Sequence, residues 1–441
     1  MDVSRRGFLR GAATVAGLAL AGPVVGRAGT AFGLEEPPPC TATRRRLVLI
    51  DLDGGNDGLN TVVPMDAPGA ETTDTRRAVY EQVRGPLALP RERLLPIGDD
   101  GSGPLGLHHS LPTLKGLWDD QRVAIVQGVD YPNHNYSHFV SGDIWKSGDP
   151  DHAPQSGWLG RHLDRVGVAP TELRALALGP GLPLTLQGTR AFGAQLLTIP
   201  PAFVDGSGAA ATALHEAYGG FAGYPSDHPL RHRYGATCGA VGNLVAKTSG
   251  MSVSTVPPEA FVRRMLGARA LLEAPLGVEI VTVTLGGFDT HANQLGTHEG
   301  LLRQLDLGLE AFFLGSYRGT PLGIDALRDD LADRTIVMTF SEFGRRIGAN
   351  ETGTDHGAAG PLFLVGPGAA GCGTARLAPG FHGAHSPLGT TTLPHVNLTM
   401  TTDLRSVYQA VLTRWLSQPT DEARRDEGDL LFPAPLAGLF T

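Results

Sequence analysis

The chain has 441 residues and a formal net charge of −8, from 36 Lys and Arg against 44 Asp and Glu. This acidic balance argues against nucleic acid or an anionic membrane surface as a partner. With 41% hydrophobic residues, the chain is long enough and apolar enough to bury a substantial core, as one large domain or two.

The first residues predict an export signal rather than part of the fold. Residues 4–10 (Ser-Arg-Arg-Gly-Phe-Leu-Arg) resemble a twin-arginine motif, and an apolar stretch follows it to about Val25. That stretch is short and contains Pro23, so no membrane span is expected once the signal is removed. We assign residues 1–32 to the signal peptide and 33–45 to a linker. This predicts a periplasmic, cell-surface or extracellular protein.

The remaining residues, 46–441, predict a single α/β domain. Short apolar segments that alternate with helical patterns are typical of a doubly wound, mostly parallel sheet with helices on both faces. Strands are predicted at 46–52, 122–129, 278–285, 334–340 and 361–366, with a small hairpin region at 182–200. Helices are predicted at 110–120 (capped by Ser110), 205–218, 229–248, 258–273, 296–316 and 402–417 (capped near Asp403). Residues 64–107, rich in Pro, Gly and charge, predict a long excursion, and 180–260 a possible insertion or cap.

Clusters of Asp, Glu and His follow three of the predicted strands. The candidate residues are Asp53, Asp57, Asp289, His291, Glu342, Arg345, Asp355 and His356. Open α/β sheets bind ligands beyond the carboxyl ends of their strands. Carboxylates and imidazoles gathered at such an edge are the ligands that a metal-assisted hydrolase requires.

The two Asp-His clusters differ in spacing. Asp289 and His291 are two residues apart, so both side chains would point the same way in an extended chain and could bind one ion. Asp289 could instead cap a loop and His291 the following helix, or both could simply be solvated. Asp355 and His356 would point in opposite directions in a regular strand, so only a turn could bring both to one ion.

The other two clusters also leave alternatives open. Asp53 and Asp57 flank glycines that let the backbone approach a ligand closely, but these side chains could instead bond their own backbone in an Asx-turn. Glu342 and Arg345 could form a structural ion pair. Alternatively, they could brace the site, or Arg345 could bind an anionic group of the substrate.

Ser137 follows the predicted strand at 122–129, at the start of a helix expected to run to about Lys146. Its hydroxyl could serve only as the N-cap of that helix. It could also be a nucleophile, because a helix N-terminus favours developing negative charge and a nearby metal would lower the pKa of the hydroxyl. His134 and His138 are secondary candidates.

These motifs, in this order, resemble those of the DUF1501 family, exported bacterial proteins of unknown function. The resembling stretches are residues 54–64, 106–108, 137–139, 157–161, 288–293, 341–345, 353–357 and 401–405. That family is in turn distantly similar to the alkaline phosphatase and sulfatase superfamily. The resemblance implies a doubly wound fold with one or two divalent metal ions at the strand ends. It implies Ser137 as nucleophile and, as metal ligands, Asp53 or Asp57, Asp289, His291, Asp355 and His356. A last histidine ligand of the superfamily has three possible matches, His382, His385 and His395.

The leading hypothesis is therefore an exported, metal-dependent hydrolase that cleaves a small anionic substrate, a phosphate or sulfate ester. Ser137 would be the nucleophile, and Glu342 and Arg345 would support the chemistry. In one alternative, metal-bound water attacks directly and no covalent intermediate forms. In the other, the protein keeps the fold without catalysis and binds a ligand or partner after export.

Overall fold

The computed structural model describes residues 44–66, 76–151, 155–167, 173–179, 181–191, 193–196, 253–274, 276–327, 329–367, 375–388, 396–418 and 432–441. The predicted signal peptide, the linker before Arg44, and the helices predicted at 205–218 and 229–248 lie outside these residues. Most of the possible insertion or cap at 180–260 does too. All of the described residues fall within one compact unit.

The strands of the described residues fall into one large sheet and three small ones. In chain order they are β1 (Arg46–Asp51), β2 (Val62–Pro64), β3 (Leu95–Asp99), β4 (Pro104–Leu107), β5 (Val123–Asp130), β6 (Ala175–Leu178), β7 (Ala194–Leu196), β8 (Ile280–Thr284), β9 (Ser316–Tyr317), β10 (Thr320–Pro321), β11 (Thr335–Phe340), β12 (Gly344–Arg345), β13 (His356–Gly357), β14 (Gly360–Val365), β15 (Gly380–His382) and β16 (Thr402–Asp403). The large sheet has the order β15-β5-β14-β11-β1-β8-β6-β7, and β16 pairs with the end of β5. Among these nine described strands, only β14 runs antiparallel to its neighbours. The predicted mostly parallel sheet is confirmed.

The described helices are α1 (Gly58–Thr61), α2 (Arg76–Arg84), α3 (Pro112–Asp119), α4 (His138–Ser147), α5 (Trp158–Val166), α6 (Ala260–Glu273), α7 (Gln294–Leu314), α8 (Asp329–Ala332) and α9 (Leu404–Ala410), which continues as a π-helical turn, Val411–Trp415. The central strand β1 shows that helices cover both faces. Val48 and Ile50 belong to a core cluster with α3, α6 and α7, while Leu47 and Leu49 belong to one with α4, α5 and α9. Burial on both faces explains why the strand sequences are continuously apolar. In the described part of the chain, no helix has the length and apolar character needed to cross a membrane.

Of the hairpin predicted at 182–200, the described residues contain one strand, β7, and its partner β6 precedes the predicted region. β6 and β7 lie side by side but run parallel, with Leu176 opposite Ala194. A short 3₁₀ turn, Leu184–Leu186, lies in the connection. Parallel strands need a crossover rather than a tight turn, and an alternating pattern alone does not reveal the direction of the partner strand.

The predicted excursion at 64–107 contains more regular structure than expected. It holds α2 and most of a three-stranded antiparallel sheet in the order β2-β4-β3. β3 contains Pro96 and Gly98, where the register shifts, and β4 contains Pro104 and Gly106. Proline and glycine weaken a strand pattern in sequence, which is why these strands were not predicted.

The direction of β14 decides which residues reach the site. The carboxyl ends of β1, β5, β8 and β11 share one edge of the sheet because these strands run parallel. β14 runs the opposite way, so its amino end lies at that same edge. β13 comes shortly before β14, and His356 is therefore brought to the edge where Asp53, Ser137, Asp289 and Glu342 follow their strands.

Candidate metal centre

Three side chains meet at the carboxyl edge of the sheet. His138 lies in the first turn of α4, Asp289 follows β8, and His356 lies in β13. Each offers one possible ligand atom, and these atoms all lie within 4.8 Å of one another. Asp289 Oδ1 is 3.0 Å from His356 Nε2, and Asp289 Oδ2 is 3.4 Å from His138 Nε2. All three side chains are partly exposed, so solutes can reach them.

Both imidazoles are oriented by a bond on the far side of the ring. His356 Nδ1 donates to the carbonyl oxygen of Tyr136 at 2.8 Å. His138 Nδ1 donates to Glu342 Oε1, also at 2.8 Å. A carbonyl and a carboxylate only accept, so in each neutral ring the proton is on Nδ1 and Nε2 carries a lone pair.

This arrangement fits a divalent cation. Two imidazole lone pairs and a carboxylate face one point, where they repel one another unless a positive charge lies between them. Ligand atoms around a tetrahedral ion lie about 3.4 Å apart when each metal–ligand distance is about 2.1 Å. Asp289 presents Oδ1 to His356 at 3.0 Å and Oδ2 to His138 at 3.4 Å, and one ligand atom from each of the three residues lies within 4.8 Å of the other two, so small side-chain adjustments would bring them to such spacing. Two imidazoles and one carboxylate suit ions such as Zn²⁺ or Fe²⁺, with a position left open for substrate.

Glu342 holds one of the imidazoles in place. Its buried side chain accepts from His138 Nδ1 and from the backbone N–H of Gly54, both at 2.8 Å from Oε1. Gly54 has φ +118°, and a Cβ there would lie 2.4 Å from the backbone nitrogen of Asp289. Only glycine fits this close approach. A carboxylate behind a metal-binding histidine fixes its tautomer and makes it a better ligand.

Arg345 holds the Asp289 carboxylate in place, as Glu342 holds the His138 imidazole. Its fully buried guanidinium donates to Asp289 Oδ1 at 2.8 Å. Burial alone would raise the pKa of the Asp289 carboxyl, but the hydrogen bond and positive charge of Arg345 oppose it and, with the neighbouring histidines, lower the pKa to about 2. The remaining donors of Arg345 bond the carbonyl oxygens of Gly54, Gly55, Phe288 and Thr354. Glu342 and Arg345 thus each brace a different member of the cluster, and Arg345 has no side-chain surface open to a substrate.

Asp57, a predicted ligand, is engaged elsewhere. Both of its carboxylate oxygens pair with Arg84, and neither side chain is exposed. It also accepts from the backbone N–H of Asn60, which caps α1, and from Gln294. Burial would raise the pKa of Asp57, but the charge and hydrogen bonds of Arg84 lower it. The structure therefore places Asp57 in a buried ion pair and not in the three-residue cluster.

Asp53 contributes mainly through its backbone. Its N–H donates to Leu285 O at 3.1 Å, and its carbonyl accepts from the N–H groups of Gly287 and Phe288, each at 3.1 Å. These bonds join the ends of β1 and β8 beneath Asp289. The Asp53 side chain is exposed and is not one of the three residues whose ligand atoms meet.

His291 and Asp355 lie at the rim of the cluster. His291 Nε2 is 3.0 Å from Asp289 Oδ1 and 2.9 Å from His356 Nε2. Asp355 is exposed, accepts from Asn350 Nδ2 at 2.7 Å, and lies 3.4 Å from His291 Nδ1. His291 is thus next to the three residues, with Asp355 behind it. Asp355 and His356 point in different directions, as predicted for neighbours in a strand. His356 points into the cluster and Asp355 does not.

Ser137 is the N-cap of α4, accepting from the backbone N–H of Val140 at 3.5 Å. The next residue, His138, carries the imidazole that enters the cluster. On sequence grounds His138 was a weaker candidate than Ser137. Its position just beyond β5 nevertheless matches the strand-end positions of the other members of the cluster. Of the three late histidines, His382 bonds Ala378 O and His385 bonds Ser386 O, while His395 lies outside the described residues.

The sequence profile of a family described as "Protein of unknown function (DUF1501)" matches residues 124–418. The chain belongs to the DUF1501 family. The matched region contains all three residues of the cluster, together with the two residues that brace it, Glu342 and Arg345. Gly54, which makes room for Asp289 and donates to Glu342, precedes it. No curated protein matches this DUF1501 chain.

Proposed function

We propose that this DUF1501 protein is an exported hydrolase that uses a divalent metal ion to cleave a phosphate or sulfate ester. The observation that carries the proposal is the convergence of two imidazole lone pairs, from His138 and His356, on the Asp289 carboxylate. The distant resemblance of the family to alkaline phosphatases and sulfatases supports the class of ester.

Each residue of the centre has a distinct role in this proposal. When bound, a divalent ion would polarise an ester oxygen and lower the pKa of a nearby hydroxyl. His138, Asp289 and His356 would hold it, and Glu342 keeps the Nε2 lone pair of His138 directed inward. Arg345 keeps Asp289 ionised. Asp289 is the one carboxylate among the three, so a divalent ion would retain positive charge there, which suits an anionic ester.

Metal analysis of the protein purified from the cell tests the centre. We expect bound divalent metal in the wild type and its loss in His138→Ala and His356→Ala. The matched control is His382→Ala, whose ring lies on β15, an outermost strand of the described sheet, and bonds Ala378 O. A smaller loss, about 10- to 100-fold in affinity, is expected for Glu342→Gln. Metal content that does not differ between the wild type and the two histidine variants would contradict the site.

The attacking group can be tested separately. Ser137 is the proposed nucleophile, next to His138 at the N-terminus of α4. Its hydroxyl accepts from the Val140 N–H, which favours a second candidate in which water attacks and Ser137 only caps the helix. Ser137→Gly removes the hydroxyl at a cap position where glycine is well tolerated. If Ser137 is the nucleophile, ester hydrolysis falls by several orders of magnitude. If water attacks, activity and metal content both stay within a few-fold of wild type.

A further inference from the structure

The rim of the metal centre carries three exposed hydrophobic side chains. Phe139 is 85% exposed, Val140 47% and Tyr136 37%. Single exposed hydrophobic residues are common on protein surfaces. Here, three of them lie within five residues of chain and flank His138, one of the three residues of the centre. An apolar surface therefore lies beside His138. Successive side chains of a helix point about 100° apart, so Phe139 is turned less far from His138 than Val140 is.

This apolar surface is anchored to the centre. The Tyr136 carbonyl accepts the bond that orients His356, and its hydroxyl accepts from Asn397 Nδ2 at 2.6 Å and lies 2.7 Å from His134 Nε2. Phe139 follows His138 in the first turn of α4. The Tyr136 side chain and the helical backbone of Phe139 are thus fixed relative to the two imidazoles, while the Phe139 ring, 85% exposed, is accessible to a bound solute.

We propose that Phe139 is a specificity-determining residue that selects esters with an aromatic or bulky apolar organic group. The inference rests on the proposed function. The three residues of the centre lie open at the sheet edge, so an ester bound there through its charged oxygens would extend its organic group along the rim. An aromatic group stacked on Phe139 would bury apolar surface from both partners. A small or strongly polar organic group would gain little from this contact.

The test compares two non-hydrolysable probes on the full chain loaded with Zn²⁺. Phenylphosphonate and methylphosphonate carry the same anionic group and differ in the apolar one. We expect the wild type to bind phenylphosphonate about 10-fold more tightly, as measured by titration calorimetry. Phe139→Ser should remove this preference, and Phe139→Leu should keep part of it. The control Val166→Ser removes an exposed hydrophobic side chain at the end of α5 and should change neither affinity.

The outcomes separate the two proposals. If methylphosphonate binds and phenylphosphonate binds no better, the role of Phe139 is wrong while the metal centre stands. If neither probe binds to metal-loaded protein, the proposed function fails and the inference with it. If Phe139→Ser keeps the wild-type preference but abolishes self-association or binding to lipid vesicles, the apolar surface serves a macromolecular partner and the inference is overturned.

Discussion

Arg345 stabilises the candidate centre through interactions that a lysine could not reproduce. Its planar guanidinium bonds one carboxylate and four carbonyl oxygens from three separate segments, all without exposure to solvent. A lysine ammonium has three donors and no fixed fork geometry, so it would leave several of these acceptors unpaired. Buried acceptors without partners are costly.

We therefore expect Arg345→Lys to lower the free energy of unfolding by about 2–4 kcal/mol. Urea unfolding followed by circular dichroism measures this change. The matched control is Arg303→Lys, since Arg303 is exposed and, within the described parts of the chain, its salt bridge is with Glu299 on the same helix. That control should change the free energy by less than about 0.5 kcal/mol. If both substitutions lowered the free energy of unfolding equally, the buried hydrogen bonds of Arg345 would add no more stability than an exposed ion pair.

Asp57 and Arg84 provide a second test at the scale of single residues. Asp57→Asn leaves a buried guanidinium without its counter-charge and should cost about 3–5 kcal/mol of folding free energy. It should leave the metal content of the folded protein unchanged, whereas Asp289→Asn should remove bound metal. Metal lost from folded Asp57→Asn protein would restore Asp57 as a ligand.

The Asp57 pair also predicts a direction of pH dependence. The pKa of Asp57 is lower in the folded than in the unfolded chain. Its contribution to the free energy of unfolding is therefore fully present above the unfolded-state pKa, about 3.9, and is lost as the pH falls through the lowered value. The difference in stability between wild type and Asp57→Asn should shrink in acid, measured by urea unfolding from pH 7 downward. A difference that grows in acid would contradict the pairing.

Much of the site was predictable because strand-end positions in a parallel sheet converge. Asp289 and His356 were expected in the site on that ground, and Glu342 and Arg345 were expected to support it. Two assignments depended on information that is not local. The Asp57 carboxylate forms an ion pair with Arg84, 27 residues further along the chain, and no sequence pattern near Asp57 reveals that partner. The helix start at Ser137 was predicted, but whether the cap residue or the next one, His138, turns its side chain to the centre depends on how α4 packs on the sheet.

At the scale of whole elements, α3 shows how a tertiary contact replaces a local cap. Ser110 was the predicted N-cap, but the residue at that position is Leu111, which makes no side-chain cap. Asp306 of α7 instead accepts from the backbone N–H groups of Thr113 and Leu114, at 3.1 and 2.9 Å. These two hydrogen bonds join α3 to α7, which lies on the same face of the sheet.

Asp306→Ala should therefore destabilise the protein by about 1–2 kcal/mol, because two N–H groups at the start of α3 lose their acceptor. Ser110→Ala is the matched control. The Ser110 hydroxyl is buried without a hydrogen-bond partner in the described structure, so its removal should be neutral or slightly stabilising. Thermal unfolding of the two variants separates these expectations. A larger loss for Ser110→Ala would reinstate it as the cap.

The central strands were predicted within one or two residues for a simple physical reason. β1, β8 and β11 are buried on both faces over most of their length, so their sequences consist mainly of apolar residues and threonine, and a charged residue precedes each strand. The direction of β14 could not be predicted, because an apolar run has the same pattern whichever way it is traversed. The short strands β3 and β4 were missed because their proline and glycine content is typical of loops.

At the scale of the whole molecule, the twin-arginine motif predicts the route of export. Arg5→Lys with Arg6→Lys should retain the protein in the cytoplasm, because the motif is read by its receptor rather than by its charge. Cell fractionation and immunoblotting measure the distribution. Arg27→Lys, near the end of the predicted signal, is the control and should be exported normally. Wild-type protein found only in the cytoplasm would contradict the signal.

The residues that meet in the candidate centre come from three distant parts of the chain: the start of α4, the end of β8, and β13. None of these segments contains a complete set of ligands, so an ion can be captured only after the sheet has assembled and nearly the whole chain has been synthesised. The twin-arginine route, which residues 4–10 predict, carries proteins that have already folded. If this protein uses that route, the moment of capture falls inside the cell. Its metal would then be chosen from the ions available where it folds, and not from those present where it works.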